Sequence, residues 1–573
     1  MMIDRQQANK LLVQLQKRPS RTAVCKGTGF EAAPMGWATA VATTRFSTTS
    51  TNLEPSPAMK AAQETRELAF AHGYSDFEAW LTSGGDDRSH IKKTGANKYH
   101  IRPQPVAADA VFRGSCTGNP PTARGYAAAA ELYKTKLELV KDDQAKLDAV
   151  LSEIYENQRS RLANVLDLPQ GVEVIICPSG SDAEYIPLAI AKMLQPSKKI
   201  ANGVSQLREI GAGSAPAAVG SYFSTHAPLL GKLPEGLKAL NGFEGIDGQE
   251  ITARNRDGSV VNAAAEMKNF ADREIEAGNY PIVHGVFGGK TGLRDADMPG
   301  SRDGGDSGLG VVDACQGRFT LKELQSWLNQ NSLVLFTSSK FYQAPPFCAA
   351  VLIPPTIADK LKSLAPPGPV SLFGQDGLGA FVTDKELSAC LDSWKPLLRR
   401  SDANNIGLAL RWEAGLAGME ALVATGTSDE ERSAKITEWA NTVTDMVKSE
   451  SFLDPWCAER SIISIRLSKS GRNDGEWRSM SELGDVYRWM SADVSSAVPN
   501  ATPAEKEALS KPAYIGQPVD VSETHAIVRI ALGVESLLSY LKDKDATLTE
   551  DRAAVSKLAA LGKHFDSLRK SDL

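Results

Sequence analysis

From residue 171 onward the chain alternates short apolar runs with helical stretches, a pattern that few architectures accommodate. GVEVIICPSGSDAEYIPLAIAKML, residues 171–194, reads as a strand over 172–177, a turn over 178–181 and a helix over 182–194. PIVHGVFGGKTG is a strand and loop, and SGLGVVDACQGRFTLKELQSWLNQ is strand, loop and helix. SLVLFTSSKF and CAAVLIPP are two further strands. Short apolar strands separated by helices predict an α/β fold with a mostly parallel central sheet flanked by helices on both faces.

Upstream, AMKAAQETRELAFAHG predicts a helix that closes at Gly73, and residues 94–124 are loop-like, rich in Gly and Pro. Helical periodicity then runs over more than one helix to the start of the first strand. Past Pro355 the pattern is helical to about residue 450. SIISIRLSKSGR, YIGQPVDVSETHAIVRIALG and VESLLSYLKD follow, mixing strands with a helix, and predict a smaller C-terminal α+β domain. A chain of 573 residues has room for two or three domains. The expected division is a leader or tail at 1–53, a helical and loop segment at 54–130, a large α/β domain at 131–360, and a helical connection with the small domain at 361–573.

Composition narrows the function. A net charge of -5 gives no reason to expect a nucleic-acid partner. The seven cysteines are scattered, with no C-x-x-C pair, which predicts reduced thiols in an intracellular protein and no zinc or other metal site. No apolar run reaches transmembrane length, so no membrane association is expected. Between Arg5 and Leu53 the only acid is Glu31, among seven basic residues and many Ser and Thr. That composition resembles a mitochondrial transit peptide. A plastid address, or a disordered tail on a cytoplasmic protein, are the alternatives.

Three stretches fall at the carboxyl ends of predicted strands, the ligand-binding edge of an open α/β sheet. In PSGSDAE, residues 178–184, Ser179, Gly180 and Ser181 turn the chain into a helix, where backbone N–H groups and hydroxyls can cradle a phosphate or simply cap the helix. In VVDACQGR, Asp313 ends an apolar strand, and a carboxylate there needs a positive partner: a protonated ring nitrogen, or an arginine such as Arg318. In VLFTSSKFYQAPP, residues 334–346, Lys340 follows a buried strand and the hydroxyl residues Thr337, Ser338 and Ser339. Apolar backing keeps more of a lysine amine in its uncharged form, nucleophilic toward an aldehyde. The alternative is a solvated lysine at a strand end.

Cradle, strand-end acid and strand-end lysine, in that order, resemble the fold type I superfamily of pyridoxal 5'-phosphate (PLP) enzymes, the aspartate aminotransferase superfamily. The class V, cysteine desulfurase-like branch is the best match, with SGSD, DACQ and TSSK standing for its three motifs over roughly residues 94–540. The resemblance implies a PLP-dependent transferase fold, a homodimer, PLP as cofactor and an amino acid as small-molecule substrate. It makes Lys340 the catalytic residue that forms a Schiff base with the cofactor. Asp313 would hold the ring nitrogen, and Gln316 the ring hydroxyl. Ser179, Gly180, Ser181, Thr337 and Ser339 would hold the phosphate, and Asn405 would reach the phosphate of the neighbouring subunit. Arg529 in VRIALG would bind the substrate carboxylate, with Arg466 as its rival. Gly289, Lys290 and Thr291, in HGVFGGKTGL, would line the substrate side, with Gln517 at the entrance.

The chain also departs from the branch. Where a histidine stacks on the ring, ANGVSQLREIGAG offers Glu209 or Ile210, and His226 lies too far along. Cys457 precedes the SIISIRL strand, whereas the desulfurase cysteine loop follows it, so Cys457 reads as buried or inert. The expected activity is of aminotransferase type, with a β/γ-lyase or desulfurase-like enzyme as the alternative. A non-catalytic protein that retains the fold is the reading from another class.

Overall fold

A computed structural model describes residues 57–571, apart from breaks at 117, 237–238, 365–369, 389–390, 399–402, 473–474 and 522–525. Residues 1–53, where the sequence predicts a leader or tail, lie outside the described residues. In chain order the strands are β1 (Val111–Arg113), β2 (Glu173–Cys177), β3 (Ile200–Ser205), β4 (His226–Ala227), β5 (Gly231–Lys232), β6 (Asp247–Ile251) and β7 (Tyr280–Val286). They continue as β8 (Leu309–Ala314), β9 (Leu333–Thr337), β10 (Ala349–Ile353), β11 (Leu453–Glu459), β12 (Ile462–Leu467), β13 (Ala513–Asp520) and β14 (Ala526–Ala531).

Seven of these form the large sheet, in the order β2-β10-β9-β8-β7-β3-β6. Neighbours from β9 through β6 pair in parallel, and only β10 runs against both of its partners. The sheet is therefore mostly parallel, and its strand residues alternate between two cores. Ile175, Cys177, Val311 and Leu335 pack on one side with the helix Tyr185–Leu194. Val174, Ile176, Val312, Val334 and Phe336 pack on the other with the helices Gln144–Val165 and Ile406–Val423. Burial on both faces is why these strands read as unbroken apolar runs rather than as alternating ones. The helix Ile406–Val423 has apolar residues all round and is buried on nearly every side, as a helix inside a core must be.

A second sheet of five strands, β1-β13-β14-β12-β11, is antiparallel except where β1 joins β13. Its core is separate, built from β12, β14 and helices that include Asp429–Ser449 and Lys544–Lys563. This is the smaller α+β part, and Pro57–Leu573 cohere as a single unit. β1 carries the N-terminal segment into the small sheet. Among the described residues no helix is long and apolar enough to cross a membrane.

Candidate active site

The ends of β2, β8 and β9 bring the three sequence stretches to one edge of the large sheet. β8 and β9 are neighbours in parallel register, with Asp313 beside Leu335 and Ala314 beside Phe336. The Thr337 hydroxyl donates to the Cys315 carbonyl at 2.6 Å, and the Phe341 N–H donates to the Gln316 carbonyl at 3.2 Å. The loops carrying Asp313, Gln316 and Lys340 are thus laced together. Gly180 opens the helix after β2 and packs against both: a Cβ built there would lie 3.0 Å from Cys315 Sγ and 3.2 Å from Thr337 Cγ2. A side chain there would push Cys315 and Thr337 back by a few tenths of an ångström, so glycine suits this close approach of the cradle helix.

Lys340 follows β9 and is half-buried. Its backbone is pinned from a segment far away in sequence: Ser115 Oγ donates to the Lys340 carbonyl at 2.9 Å, and Asn119 Nδ2 donates to the Ser339 carbonyl at 2.7 Å. Asp313 is buried and takes the Cys315 N–H on Oδ1 at 2.9 Å. It faces two further buried groups, Glu184 and His284, and donor atoms of the three lie within 4.8 Å of one another. Burial, with the Asp313 charge beside it, raises the Glu184 carboxyl well above its usual range. Burial pushes the His284 imidazole down to about 4, against the pull of Asp313.

Several buried polar atoms at this edge have no hydrogen-bond partner in good geometry: Gln316 Oε1, His284 Nε2, Asn119 Oδ1 and both oxygens of Asp182, while Glu184 Oε2 sits 3.3 Å from His284 Nδ1. Such atoms are rare in folded proteins, and a group of them marks a place for a polar ligand.

Other expected residues take different roles. The Thr337 hydroxyl is spent on Cys315, so it ties β8 to β9 instead of donating to a phosphate. Ser179 Oγ accepts from the Asp182 N–H at 3.2 Å as a helix cap, and Ser181 and Ser339 are buried beside it at the same edge. Asn405 is buried as the cap of the helix Ile406–Val423: Oδ1 accepts from Leu408, and Nδ2 donates to Gly84 at 2.9 Å. Gly289 is buried against Glu209 rather than lining an open wall. Glu209 pairs with Arg254 and accepts from the Thr291 N–H, so it braces the loop after β7. Arg318 makes no pair with Asp313; it donates to the Leu532 carbonyl at 2.7 Å. Cys457 sits within β11, its thiol pushed up to about 11 by burial, an inert state.

The two candidate arginines separate clearly. Arg466 is partly exposed and bound to Asp454, with Nη2 at 2.6 Å from Oδ2. Arg529 is 1% exposed, and its partners are neutral: the Gln517 carbonyl at 2.8 Å and the Lys290 carbonyl at 3.1 Å. Among the described residues no carboxylate pairs with it.

Arg88 is a residue that motif reading passes over. Its guanidinium grips Asp86 with two bonds of 2.7 and 2.6 Å, lies over the Phe347 ring at 4.4 Å, and donates from Nη2 to Ser179 Oγ at 3.3 Å. The only sequence signal for it is an arginine set among acids in the Gly-rich stretch GGDDRSH.

Asp182 stands beside this pair, and burial with the Asp86 charge raises it to about 7. Its folded value exceeds the unfolded one, so the folded state binds more protons between about pH 4 and 7 and loses stability as pH rises through that window. Asp182→Asn is therefore expected to raise the thermal midpoint relative to wild type at pH 8 and to leave it unchanged near pH 4. A constant difference across that range would mean Asp182 is ionised throughout.

No family model matches the chain, and no curated protein matches it. Solved structures similar to it include the Rhodiola rosea 4-hydroxyphenylacetaldehyde synthase, at 14% identity over 77% of this chain and 82% of that one, with a TM-score of 0.43. The Catharanthus roseus tryptophan decarboxylase is 13% identical over 80% and 85%, with a TM-score of 0.44. A phosphoserine aminotransferase from Cytophaga hutchinsonii is 13% identical over 78% and 99%, with a TM-score of 0.42.

Proposed function

We propose that this chain is a PLP-dependent enzyme acting on an amino acid, of the kind its three motifs resemble. The observation that carries the reading is the meeting of Lys340, Asp313, Gln316 and the Ser179–Gly180–Ser181 turn at one sheet edge, among buried polar atoms that lack partners. Those atoms fit the cofactor. Gln316 Oε1 would accept from a ring hydroxyl, and Asp313 would face the ring nitrogen. Ser179, Gly180, Ser181 and Ser339 would hold the phosphate. Bound there, PLP would supply an aldehyde for covalent attachment to Lys340 and a protonated ring that draws electrons from the substrate Cα.

The chain's own residues do the rest. The Lys340 amine, carried on a backbone fixed by Ser115 and Asn119, is the base that takes and returns a proton at Cα. Burial raises the Glu184 carboxyl and lowers the His284 imidazole, which shifts both toward their neutral forms beside Asp313. Arg529 is the guanidinium for the substrate carboxylate, because burying a cation without an anion is costly and a substrate would supply one. Chemistry of aminotransferase type is the first expectation, and a β/γ-elimination would use the same residues up to loss of the Cα proton.

The test is covalent capture. Borohydride treatment of the full chain with PLP should fix a pyridoxyl group on the peptide that contains Lys340. Capture elsewhere, or none, overturns the reading. Among amino acids then screened, a keto acid from an intact carbon skeleton marks transamination, and a released side-chain fragment marks elimination. Arg529→Met is expected to lower kcat/KM for the active amino acid roughly 10- to 100-fold, the worth of charge-assisted hydrogen bonds to a carboxylate. Arg466→Met should stay close to wild type. The reverse order would give the carboxylate to Arg466.

A further inference from the structure

A cavity of about 290 Å³ lies behind the loops that carry Gln316 and Lys340, away from the edge where the proposed cofactor residues meet. Its walls include Phe341, Met419, Leu422, Ile436 and Leu537, so it is chiefly apolar. Three arginines border it. Arg432 is paired with Asp429, and Arg460 with Glu323. Arg318 differs. It is 7% exposed, bonds only to hydroxyls and carbonyls of Ser115, Ser461 and Leu532, and leaves Nε without a partner. Among the described residues no carboxylate pairs with it, and burial pulls its guanidinium down to about 10.

A buried cation without a counter-charge is costly, and a neighbouring anion offsets that cost. One unneutralised charge calls for a monoanion. The apolar walls call for a hydrocarbon body, and the volume fits about ten heavy atoms at roughly 30 Å³ each, the share of a water in the liquid. We propose that this cavity binds an amphipathic monocarboxylate of about that size, medium-chain or aryl-alkyl, with its carboxylate against Arg318. The proposal is independent of the cofactor reading, since none of the residues assigned to PLP lines the cavity.

Calorimetric titration of the full chain with decanoate and with 1-decanol tests it, at neutral pH and low salt. Decanoate is expected to bind one to one, at least tenfold more tightly than the alcohol. Leu422→Trp and Ser433→Trp, which fill the cavity from two sides, should each abolish decanoate binding. Arg318→Met should bring the acid and the alcohol within threefold of each other. Equal binding of the two ligands by wild type, or decanoate binding that survives both tryptophan substitutions, overturns the proposal. Arg318 also ties Ser115 and Leu532 together, so the methionine variant risks misfolding, and the two tryptophan variants decide the matter without it.

Discussion

Lys340→Ala is expected to yield a folded protein that borohydride no longer couples to PLP and whose turnover falls by roughly 10² to 10⁴, the range for losing a positioned acid–base group. The fold should tolerate the change. The groups that fix this turn, Ser115 and Asn119, bind backbone carbonyls that alanine keeps. The Lys340 side chain makes no ion pair with the described residues, and its half-exposed position has no core to collapse. An equal thermal midpoint for variant and wild type, each without added cofactor, would confirm that the loss is chemical. Lys290→Ala is the matched control: it lies on the neighbouring loop, where Nζ donates to the Arg208 carbonyl at 3.0 Å, and it should keep full capture. Capture that survives in Lys340→Ala and disappears in Lys290→Ala would move the reactive amine to the β7 loop.

How much of this was visible in the sequence follows from the range of each interaction. β2, β8, β9 and β10 are continuous apolar runs ended by Gly, Pro or polar residues, so local pattern locates them. β6, DGQEI, is an edge strand with one buried residue in five, and nothing in its composition separates it from a loop. β11, LDPWCAE, contains a proline and little burial, and was equally silent. At the site, Asp313 and Lys340 show themselves because each is a charge placed at the end of an apolar strand. His284 carries the same signal, an ionisable residue inside PIVHGVF, but its meaning depends on Glu184, 100 residues earlier. Arg88 and Asn119 reach the site across 91 and 220 positions, and no local pattern encodes such contacts. Thr337 shows the converse limit: the right residue type at the right place, with its hydroxyl hydrogen already given to a carbonyl.

The second large effect concerns the joint that holds β1, and with it the segment leading to Ser115 and Asn119. Arg113 on β1 is 2% exposed and forms an ion pair with Asp551, which is fully buried on the helix Lys544–Lys563. Asp551 Oδ2 also accepts from Trp439 Nε1 at 2.9 Å, and Arg113 reaches Ser536 Oγ at 3.1 Å and the Thr547 carbonyl at 3.2 Å. Asp551→Ala would leave the guanidinium with Glu550, which is half exposed, and would strip the Trp439 N–H of its acceptor. Breaking one partner out of a buried pair costs about 3–5 kcal/mol. Local opening would then rise by about 10² to 10⁴-fold, read as faster amide exchange in β1 and in the helix. The double variant Arg113→Met/Asp551→Leu removes both charges and fills the space with apolar groups, so it is expected to exchange more slowly than Asp551→Ala. If the double variant is the worse of the two, the charges themselves favour the fold, and the pair does more than satisfy a cation that the small sheet has enclosed. Lys340 would register the outcome as well, because the strand that Arg113 anchors is followed by Ser115 and Asn119, which hold its backbone.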